Sequence, residues 1–552
     1  MERYVKDQSA LLASARLALA AAAALAATLF ETGAQPTTRE VTVMKAARRE
    51  AARRQRRIMY NDDGCHPRPY TSPDEFLGLR LKQLLGTQVD TICYCTGGSG
   101  VFWGHIPETG ELIGEYVGKA DAAYVKDICK GIAALRKLGT DPLTLAVEFG
   151  HTNGMEVFWS CRMNNVEDSF AAWCHPRWKR EHPEYLLGSR EDWDKYAYTD
   201  PRKWWAALNF EIPEVRAQIL SIFEDVCGRY DVDGVEMDFF RHPRFFPPTT
   251  DGLPVAPEQV AAMTDLVRSI RAATENAAHR RNRPLLISCR VPLSVERAYA
   301  IGLDLETWLR DDLVDILVIG GDLGPMAMAP QLRTMVELAH RHGARAHANI
   351  GGSGMQKRQG YVEPEAWWAA ATNAWHAGVD GIYTFNLFPT EPNERFSILG
   401  APEELRGLNK LYAIDPIEPK NLWGFNRSAL VIPDRLPLVF GPSGRITAIL
   451  PVGEDIVANA PAGKAPEARL GLRTAGLVDG DSIVVRLNGL PPVIAEARTP
   501  LTDRSRASWF DVPVDPAAVR AGDNRIGLAV ASKRALDTSA LLDRLELHVD
   551  YH

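Results

Sequence analysis

The sequence predicts an α/β fold, a (β/α)8 TIM barrel followed by a C-terminal antiparallel β-sandwich. Two observations lead to this prediction. Eight short apolar runs alternate with amphipathic stretches in the middle of the chain, and helical patterns vanish after about Asn421. With 552 residues, the chain is also too long for one ordinary core. We therefore divide it into an N-terminal leader (1–57), a barrel catalytic domain (58–420) and a β-sandwich accessory domain (421–552).

The leader begins with an apolar run that is free of charge, LALAAAAALAATLF from Leu17 to Phe30. This run is short for a membrane span, so no stable span is expected. It resembles the core of a signal peptide, although Glu2 and Asp7 precede it, and an Ala-rich helix is the alternative. We favour export, to the periplasm or the medium. The basic stretch KAARREAARRQRR (45–57) is interpreted as a solvated helix or flexible leader rather than a binding patch.

The barrel prediction is based on β-rich apolar runs, each followed by a polar loop and, in most cases, an amphipathic helix. Continuous apolar strands of this kind are typical of a parallel sheet that is covered on both faces. Eight of them over this length indicate a closed barrel. The predicted strands are Ile58 to Gly64, Thr91 to Gly98, Leu143 to His151, Asp233 to Phe240, Leu285 to Pro292, Asp315 to Asp322, Arg345 to Gly352 and Gly381 to Phe388.

The connection between the third and fourth predicted strands is unusually long. It extends from His151 to about Asn209 and is rich in Trp, Arg, His and Asn. Connections of this length within a compact domain are usually functional or form a small subdomain. On a barrel this one would rise from the C-terminal face, where active sites are built.

The C-terminal domain is predicted from short alternating runs that Gly, Pro and Asp interrupt. The runs include SALVIP, ITAILPV, DSIVVRLNG and RIGLAVA. Alternation of this kind indicates antiparallel strands with one face packed. No aromatic cluster marks the domain as a sugar binder, so a structural accessory role is at least as well supported.

Composition and motifs exclude several classes of function. The net charge of -7 and pI of about 6.1 give no indication of nucleic-acid binding. The eight cysteines show no metal-type CxxC spacing and are interpreted as buried free thiols. Motifs of serine hydrolases (GxSxG), zinc proteases (HExxH) and P-loop enzymes do not occur, nor does the first-strand HxH pair of metal-dependent barrels. We expect neither a metal nor an organic cofactor.

The stretch YDVDGVEMDFFRHP (Tyr230 to Pro243) places Glu236 and Asp238 two residues apart in an apolar run. Unpaired acids are costly in a buried strand. Because side chains alternate, the two acids share one face, which we predict to be the inward face near the C-terminal mouth. The structural alternative is an ion pair with a cation on a neighbouring strand, and Arg290 is the obvious partner.

The same stretch, with the preceding helix LNFEIPEVRAQIL, resembles bacterial glycoside-hydrolase-like barrels of the family 10-like glycosyl hydrolases. The matching residues are Pro213, Glu214, Val215 and Arg216 at the helix start, and Asp233, Gly234, Asp238, Arg241 and Pro243 around the strand. Glu236 stands where that family often has His. The strand is also similar to the Asp-Gly-x-Asp-x-Asp-x-Glu strand of chitinase-like barrels, but Phe240 replaces the required Glu, which disfavours a chitinase mechanism.

The resemblance implies glycoside hydrolysis, which normally needs two carboxyl groups. Asp238 carries the match and is assigned as nucleophile or transition-state stabiliser. Glu236 is either the general acid or a neighbour that tunes Asp238, because a like charge nearby raises one pKa of a pair. Asp322 is the second choice for the acid and Glu148 the third, since both end predicted strands.

Polar groups at other strand ends are predicted to line the same mouth and bind substrate. They are Asn61, Asp62, Glu148, His151, Arg241, His242, Arg290, Asn349, Tyr383 and Asn386. Turn chemistry before Gly64 is the alternative for Asp62 and Asp63. Trp103 and Trp159 are candidates for stacking on sugars, with buried packing as the alternative.

We therefore predict a hydrolase that cleaves glycosidic bonds of an oligo- or polysaccharide by a two-carboxylate mechanism. The first alternative is a catalytically silent glycan-binding or scaffolding barrel, which would not need two closely placed acids. A second is another hydrolase or a metal-dependent barrel enzyme, whose activity would disappear with a chelator.

Overall fold

The structure is a computed structural model with side chains. It describes residues 37–65, 69–113, 123–198, 200–320, 329–351, 363–389, 394–414, 436–478, 480–497, 507–532, 536 and 540–552. The apolar run at 17–30, on which the signal-peptide prediction depends, lies outside these residues. None of the described helices is long and apolar enough to cross a bilayer.

Eight parallel strands form a closed barrel, as the sequence predicts. Each strand pairs with the next along the chain, and the eighth pairs with the first, which closes the sheet. Apolar side chains such as Met59, Phe158 and Leu286 fill the interior. The strands are β1 (Ile58–Asp62), β2 (Val89–Gly98), β3 (Glu156–Arg162), β4 (Gly234–Asp238), β5 (Leu286–Val291), β6 (Ile316–Ile319), β7 (Arg345–Gly351) and β8 (Gly381–Phe385).

The prediction for the third strand is wrong. The run from Leu143 to His151 lies in a helix, Pro142–Thr152, and the strand follows it at Glu156–Arg162. Asp141 caps this helix by accepting a hydrogen bond from the backbone N–H of Thr144, and Pro142 occupies the first turn. Seven of the eleven helical residues are buried, which explains why the stretch is apolar enough to be mistaken for a strand.

Helices cover the outside of the barrel. Their amphipathic sequences bury one stripe against the sheet, as Val215, Ile219 and Phe223 do in the helix before β4. The helices of at least six residues are α1 (Thr38–Ala52), α2 (Pro73–Leu79), α3 (Ala123–Lys137), α4 (Pro142–Thr152), α5 (Pro213–Arg229), α6 (Pro257–Arg281), α7 (Val295–Ala300), α8 (Leu305–Arg310), α9 (Ala329–Arg341) and α10 (Pro364–His376).

The long connection between β3 and β4 leaves the C-terminal end of β3, as predicted for a segment that contributes to the mouth. It runs from residue 163 to residue 212 and is built from short turns of helix, of which Arg177–Glu181 is the longest. We call this segment the β3–β4 excursion. A buried ion pair, Lys179 Nζ to Asp168 Oδ2 at 2.8 Å, holds it together from inside.

Helix α1 lies within the stretch that the sequence analysis treated as a leader, and it packs against the base of the barrel. Arg48 is buried and its guanidinium contacts Asp315 Oδ1 at 3.0 Å, just before β6. Arg56, which follows the helix, is buried against Glu156 at the start of β3. Most side chains of the predicted stretch 45–57 are exposed, as expected of a solvated helix, but Arg48 and Arg56 are buried and pair with acids of the barrel.

The C-terminal region consists of two separate antiparallel sheets. One sheet begins with β9 (Lys410–Ile414), which pairs with the last strand of the chain, so this sheet starts before the predicted boundary at 421. That the two sheets stack as a sandwich stays a prediction. The remaining strands are β10 (Leu438–Val439), β11 (Arg445–Val452), β12 (Pro466–Ala475), β13 (Ser482–Leu487), β14 (Val493–Ile494), β15 (Glu496–Ala497), β16 (Ser508–Val514), β17 (Gly522–Ala531) and β18 (Leu541–Tyr551).

All eight cysteines lie in the described part of the chain and are free thiols, six of them buried. The interpretation of the cysteines as buried free thiols is therefore confirmed for these six, while Cys65 and Cys129 are half-buried.

Candidate active site

The inward face of β4 carries both acids of the opening motif, as the alternation predicts. In the sheet register, Glu236 stands beside Ser160 of β3 and Ser288 of β5. Asp238, one pleat nearer the C-terminal mouth, stands beside Arg162 and Arg290. Both acids are buried, and two residues of strand separate their Cα atoms by about 6.6 Å.

Asp238 is the anionic half of a buried ion pair. Arg290 donates two hydrogen bonds to it, from Nε to Oδ1 at 2.9 Å and from Nη2 to Oδ2 at 2.8 Å. The backbone N–H groups of Phe240 and Arg241 also donate to Oδ1, at 2.9 and 3.0 Å. The partner that the sequence analysis named for the structural alternative is therefore present. Oδ2 accepts one hydrogen bond from the described residues, and a carboxylate oxygen can accept two.

Glu236 has a different environment on the same strand face. Burial and then the charge of Asp238 raise the pKa of Glu236 to about 7, while the hydroxyl of Ser160 and the guanidinium of Arg290 oppose this effect. The side-chain amide of Asn61 lies 3.5 Å from Oε2. The other oxygen, Oε1, has no hydrogen-bond partner among the described residues. Near neutral pH, Glu236 is therefore available as a proton donor.

Two further buried polar atoms on the inner faces of neighbouring strands lack partners within the described residues. They are the hydroxyl of Ser288 on β5 and the amide oxygen of Asn349 on β7, whereas the Tyr383 hydroxyl on β8 is a partner of Glu236 and acts to lower its pKa. Asn349 Nδ2 donates to the carbonyl of Gly320 at 3.1 Å. Buried polar atoms are normally hydrogen-bonded, so a set of unpartnered ones on the inner face of a barrel mouth points to a bound polar molecule.

A carboxylate of the β3–β4 excursion joins two arginines at the mouth. Glu167 Oε2 accepts from Arg162 at 3.2 Å, and its other oxygen accepts from Arg241. Burial acts to raise the pKa of Glu167, but the two guanidinium groups outweigh this effect and lower it to about 2. Arg290 stacks on Phe385 of β8, with its guanidinium carbon 3.9 Å from the ring centroid.

Sequence reasoning missed Ser160, Arg162, Glu167 and Ser288 as residues of this region. Ser160 and Arg162 alternate along EVFWSCR, and an inward face would have been assigned to both had this run been recognised as the third strand. Ser288 shares the inward face with the predicted Arg290 and required only the same alternation. Glu167 has no sequence signal, because its position depends on the path of the excursion.

Among the predicted substrate-binding residues, Asp62 does not face the mouth. Its Oδ1 accepts from the backbone N–H of Gly64 at 2.9 Å and from Arg80 at 2.7 Å, and its Oδ2 accepts from the Tyr60 hydroxyl at 3.0 Å. Asp63 accepts from the N–H of Cys65 in the same way. The alternative of turn chemistry is therefore correct for both acids.

Glu148 and His151 do not end a strand, because both lie on α4. Glu148 is exposed, and His151 Nε2 lies 3.0 Å from Asp233 Oδ2, before the start of β4 and thus at the opposite end of the barrel from the mouth. Glu148 was predicted as the third candidate acid and, with His151, as a substrate ligand because both were expected to end a strand. Neither residue has that position. Asp322, the second candidate acid, lies outside the described residues.

His242 and Asn386 follow the C-terminal ends of β4 and β8. His242 is buried, its ring stacks on Trp204 with centroids 6.3 Å apart, and burial lowers its pKa well below the ordinary value. Asn386 is half-buried in a left-handed conformation, with φ of 52°.

Trp103 and Trp159 are both buried, so neither offers an open face to a sugar. Trp103 donates to the carbonyl of Asp63, and Trp159 donates to Thr96 and packs edge-on against Phe223. In the described part of the chain, no group of three or more His, Cys, Asp or Glu side chains is arranged to hold a metal ion.

Residues 123–250 match the model of a protein family described as glycosyl hydrolase-like 10. This match confirms the resemblance drawn from the motif, and it spans β3, the excursion and the acids of β4. It covers less than half of the chain. No curated protein sequence matches the chain.

Solved structures with detectable similarity include glycoside-active enzymes. A cycloisomaltooligosaccharide glucanotransferase from Paenibacillus sp. is 11% identical over 90% of this chain and 57% of its own, with a TM-score of 0.33. An alpha-L-fucosidase from Paenibacillus thiaminolyticus is 13% identical over 63% and 49%, with a TM-score of 0.37. The chain thus spans about half the length of these two.

A maltogenic alpha-amylase from Thermotoga neapolitana is 12% identical over 86% of this chain and 99% of its own, with a TM-score of 0.36. TM-scores below 0.5 do not establish a shared fold, so the barrel assignment here depends on the strand pairing itself.

Proposed function

We propose that this chain is a glycoside hydrolase that cleaves glycosidic bonds of an oligo- or polysaccharide, with Glu236 as general acid and Asp238 as nucleophile or transition-state stabiliser. The observation that carries the proposal is the contrast between two acids on one strand face. Glu236 has a pKa raised to about 7, and Asp238 accepts two hydrogen bonds from the guanidinium of Arg290. Two carboxyl groups whose environments separate their protonation states are suited to acid and nucleophile roles.

In the proposed reaction, the protonated Glu236 gives its proton to the oxygen of the leaving sugar as the glycosidic bond breaks. Positive charge develops on the sugar ring, and the Asp238 carboxylate stabilises it or bonds to the anomeric carbon. Water then attacks the anomeric carbon and gives a proton to Glu236, which releases the second sugar and restores both acids. Asp238 is already charged and oriented by Arg290 and two backbone N–H groups, so little reorganisation is needed. Asn349 and Ser288 supply polar atoms for sugar hydroxyls.

The test compares the isosteric variants Glu236→Gln and Asp238→Asn on a panel of oligosaccharides and polysaccharides that the parent cleaves. We expect each variant to lose at least about a hundredfold in kcat/KM, because general acid catalysis alone contributes about that factor. Full activity of both variants on a glycan that the parent cleaves would show that the catalytic assignment is wrong.

Asp315→Asn is the matched control for the loss of a buried carboxylate. Asp315 accepts from Arg48 at 3.0 Å and from Arg271 at 2.6 Å, before β6 and so at the base of the barrel. Its replacement disturbs a comparable ion pair far from the mouth. We expect this variant to be less stable while the folded fraction keeps its kcat/KM.

A catalytically silent glycan-binding barrel is the second candidate, and a specific observation favours it. Asp238 makes the bidentate ion pair that a purely structural acid would make. A parent protein that binds glycans and cleaves none of them would support this function. Loss of cleavage on adding a chelator would instead indicate a metal-dependent enzyme.

A further inference from the structure

The β3–β4 excursion carries a cluster of aromatic side chains that the proposed chemistry does not use. We call it the aromatic platform, and it consists of Phe170, Trp193, Tyr198 and Trp204. The Phe170 and Tyr198 rings pack edge-on against Trp204, with centroids 5.9 and 5.1 Å from it. Trp193 lies 6.0 Å from Phe170 and 5.8 Å from Trp204. The four rings therefore form one contiguous cluster.

Two of these rings are largely open to solvent. Phe170 is 57% exposed and Tyr198 58% exposed, whereas Trp204 beneath them is buried. Within the described part of the excursion, no other large hydrophobic side chain is as exposed as these two. Exposed aromatic rings occur both at protein interfaces and in sugar-binding sites, so the position of these rings relative to the candidate active site decides between the two ligands.

The platform is continuous with the candidate active site. Trp204 stacks on His242, the residue after Arg241, and Arg244 donates to the Trp204 carbonyl. Phe170 follows the turn Glu167–Ser169, whose Glu167 joins Arg162 and Arg241 at the mouth. Residues in direct contact with one another therefore connect the mouth of the barrel to the platform.

Polar groups surround the platform. The guanidinium of Arg202 lies over the Tyr196 ring and pairs with Asp200 at 2.8 Å, and the Lys203 ammonium lies over Trp193. A pyranose presents a face of C–H groups, which packs on an aromatic ring, and an edge of hydroxyls, which needs hydrogen-bonding partners. An aromatic surface with a charged rim supplies both.

We infer that the aromatic platform is a stacking subsite for a glycosyl unit distal to the bond that is cleaved, so that the substrate is an oligosaccharide or polysaccharide longer than two units. This inference rests on the proposed function for its position in the reaction. The binding of a glycan to the platform is measurable without any cleavage.

The experiment measures binding of malto-, cello- and chito-oligosaccharide ladders of two to six units by calorimetry, using Glu236→Gln to prevent turnover. We expect the longer members of one ladder to bind more tightly than its disaccharide. Adding Phe170→Ala and Tyr198→Ala should weaken binding of the hexamer roughly tenfold and remove the length dependence. Both positions are exposed, so the fold is expected to survive, and circular dichroism checks this.

Two further variants in the same background serve as controls. Tyr198→Phe keeps the ring and should retain hexamer binding. Ile494→Ala removes an apolar side chain that is 66% exposed on a C-terminal sheet, and it should leave binding unchanged.

Several results would overturn the inference. They are equal hexamer binding with and without the two alanines, binding that does not depend on length, and no binding of any ladder. A change in sedimentation coefficient with unchanged glycan binding would identify a self-association surface instead. The parent could cleave glycans while the Phe170→Ala and Tyr198→Ala substitutions change its activity on neither short nor long substrates, and that result would reject the platform alone. Length-dependent binding by a parent that cleaves no glycan would reject only the proposed function.

Discussion

At the scale of single residues, the register of three strands explains why Glu236 and Asp238 differ. Asp238 lies beside Arg290 of β5 and forms an ion pair with it, whereas Glu236, two residues earlier, lies beside Ser288. The cation on the neighbouring strand, Arg290, therefore forms its ion pair with Asp238 and not with Glu236. The other acid is buried next to a fixed negative charge, and its neutral form is favoured.

This difference predicts how stability depends on pH. The pKa of Glu236 is about 7 in the folded chain against 4.5 for an unperturbed Glu side chain. Below pH 4.5 the side chain is protonated in both states and has no effect. As the pH rises from 4.5 to 7, the unfolded chain releases this proton before the folded one does, so the free energy of unfolding falls. The expected fall is about 3 kcal/mol.

The measurement is urea unfolding of the parent and Glu236→Gln between pH 4.5 and 8. Groups that do not interact with Glu236 titrate equally in both proteins, so the difference between the two curves reports Glu236 together with its coupling to Asp238. We expect the variant to gain stability relative to the parent as the pH rises. Parallel curves across this range would contradict the raised pKa, and with it the assignment of Glu236 as a proton donor near neutral pH.

Much of the residue pattern around β4 follows from alternation alone. The inward face of Glu236 and Asp238, and the pairing of Asp238 with Arg290, require only that β4 and β5 are adjacent and parallel. Asp238 carries the family match and was predicted to have the firmer role, yet Glu236 is the acid whose pKa the folded structure raises. That outcome could not be predicted, because burial depth and unpartnered atoms depend on all eight strands.

At the scale of elements, the third strand shows where patterns mislead. Both Leu143–Thr152 and Glu156–Arg162 are apolar and short enough to be strands. The difference is local: Asp141 followed by Pro142 is a helix-start signal, because Asp caps the first turn and Pro fits its first position. Seven other barrel strands were located because their apolar runs had no competing signal of this kind.

Helix α1 is the second element whose contacts patterns alone did not reveal, since its many basic residues gave no sign that Arg48 and the following Arg56 are buried against the barrel. Arg56 donates to Glu156 at 2.7 and 3.0 Å and to the carbonyls of Ala51 and Ala52 at 2.9 and 3.1 Å. We expect Arg56→Met to lower the free energy of unfolding by about 3–5 kcal/mol, because a buried carboxylate loses its main partner. Chemical denaturation measures the change.

The control for this variant is Arg53→Met, whose side chain is 68% exposed and pairs only with Glu50 among its described ionic partners. Its replacement should change stability by less than about 1 kcal/mol. If Arg56→Met were as stable as Arg53→Met, the packing of α1 against the barrel would contribute little to the fold.

At the scale of the whole molecule, the C-terminal sheets are attached to the barrel through α10. Asn373 on this helix donates to the carbonyl of Pro451 on β11 at 3.3 Å. Gly453, which follows β11, lies against the backbone carbonyl of Thr372 on the same helix. Strand β9 leaves the barrel and pairs with the final strand β18. The predicted boundary at 421 missed this attachment, because β9 is too short for its pattern to reveal which domain it joins.

The close approach at Gly453 predicts that even one added methyl group disturbs the junction. A Cβ atom at this position would lie 2.4 Å from the carbonyl oxygen of Thr372, and backbone atoms cannot move aside as a flexible side chain can. We expect Gly453→Ala to lower the free energy of unfolding by about 1–3 kcal/mol and the melting temperature by several degrees.

Gly228→Ala is the matched control, because open space surrounds Gly228 near the end of α5, and a helical Ala should be neutral or stabilising. Since α10 lies outside the barrel, kcat/KM of folded Gly453→Ala should equal that of the parent. Equal melting temperatures for the two variants would show that the C-terminal sheets do not pack against α10 in this way.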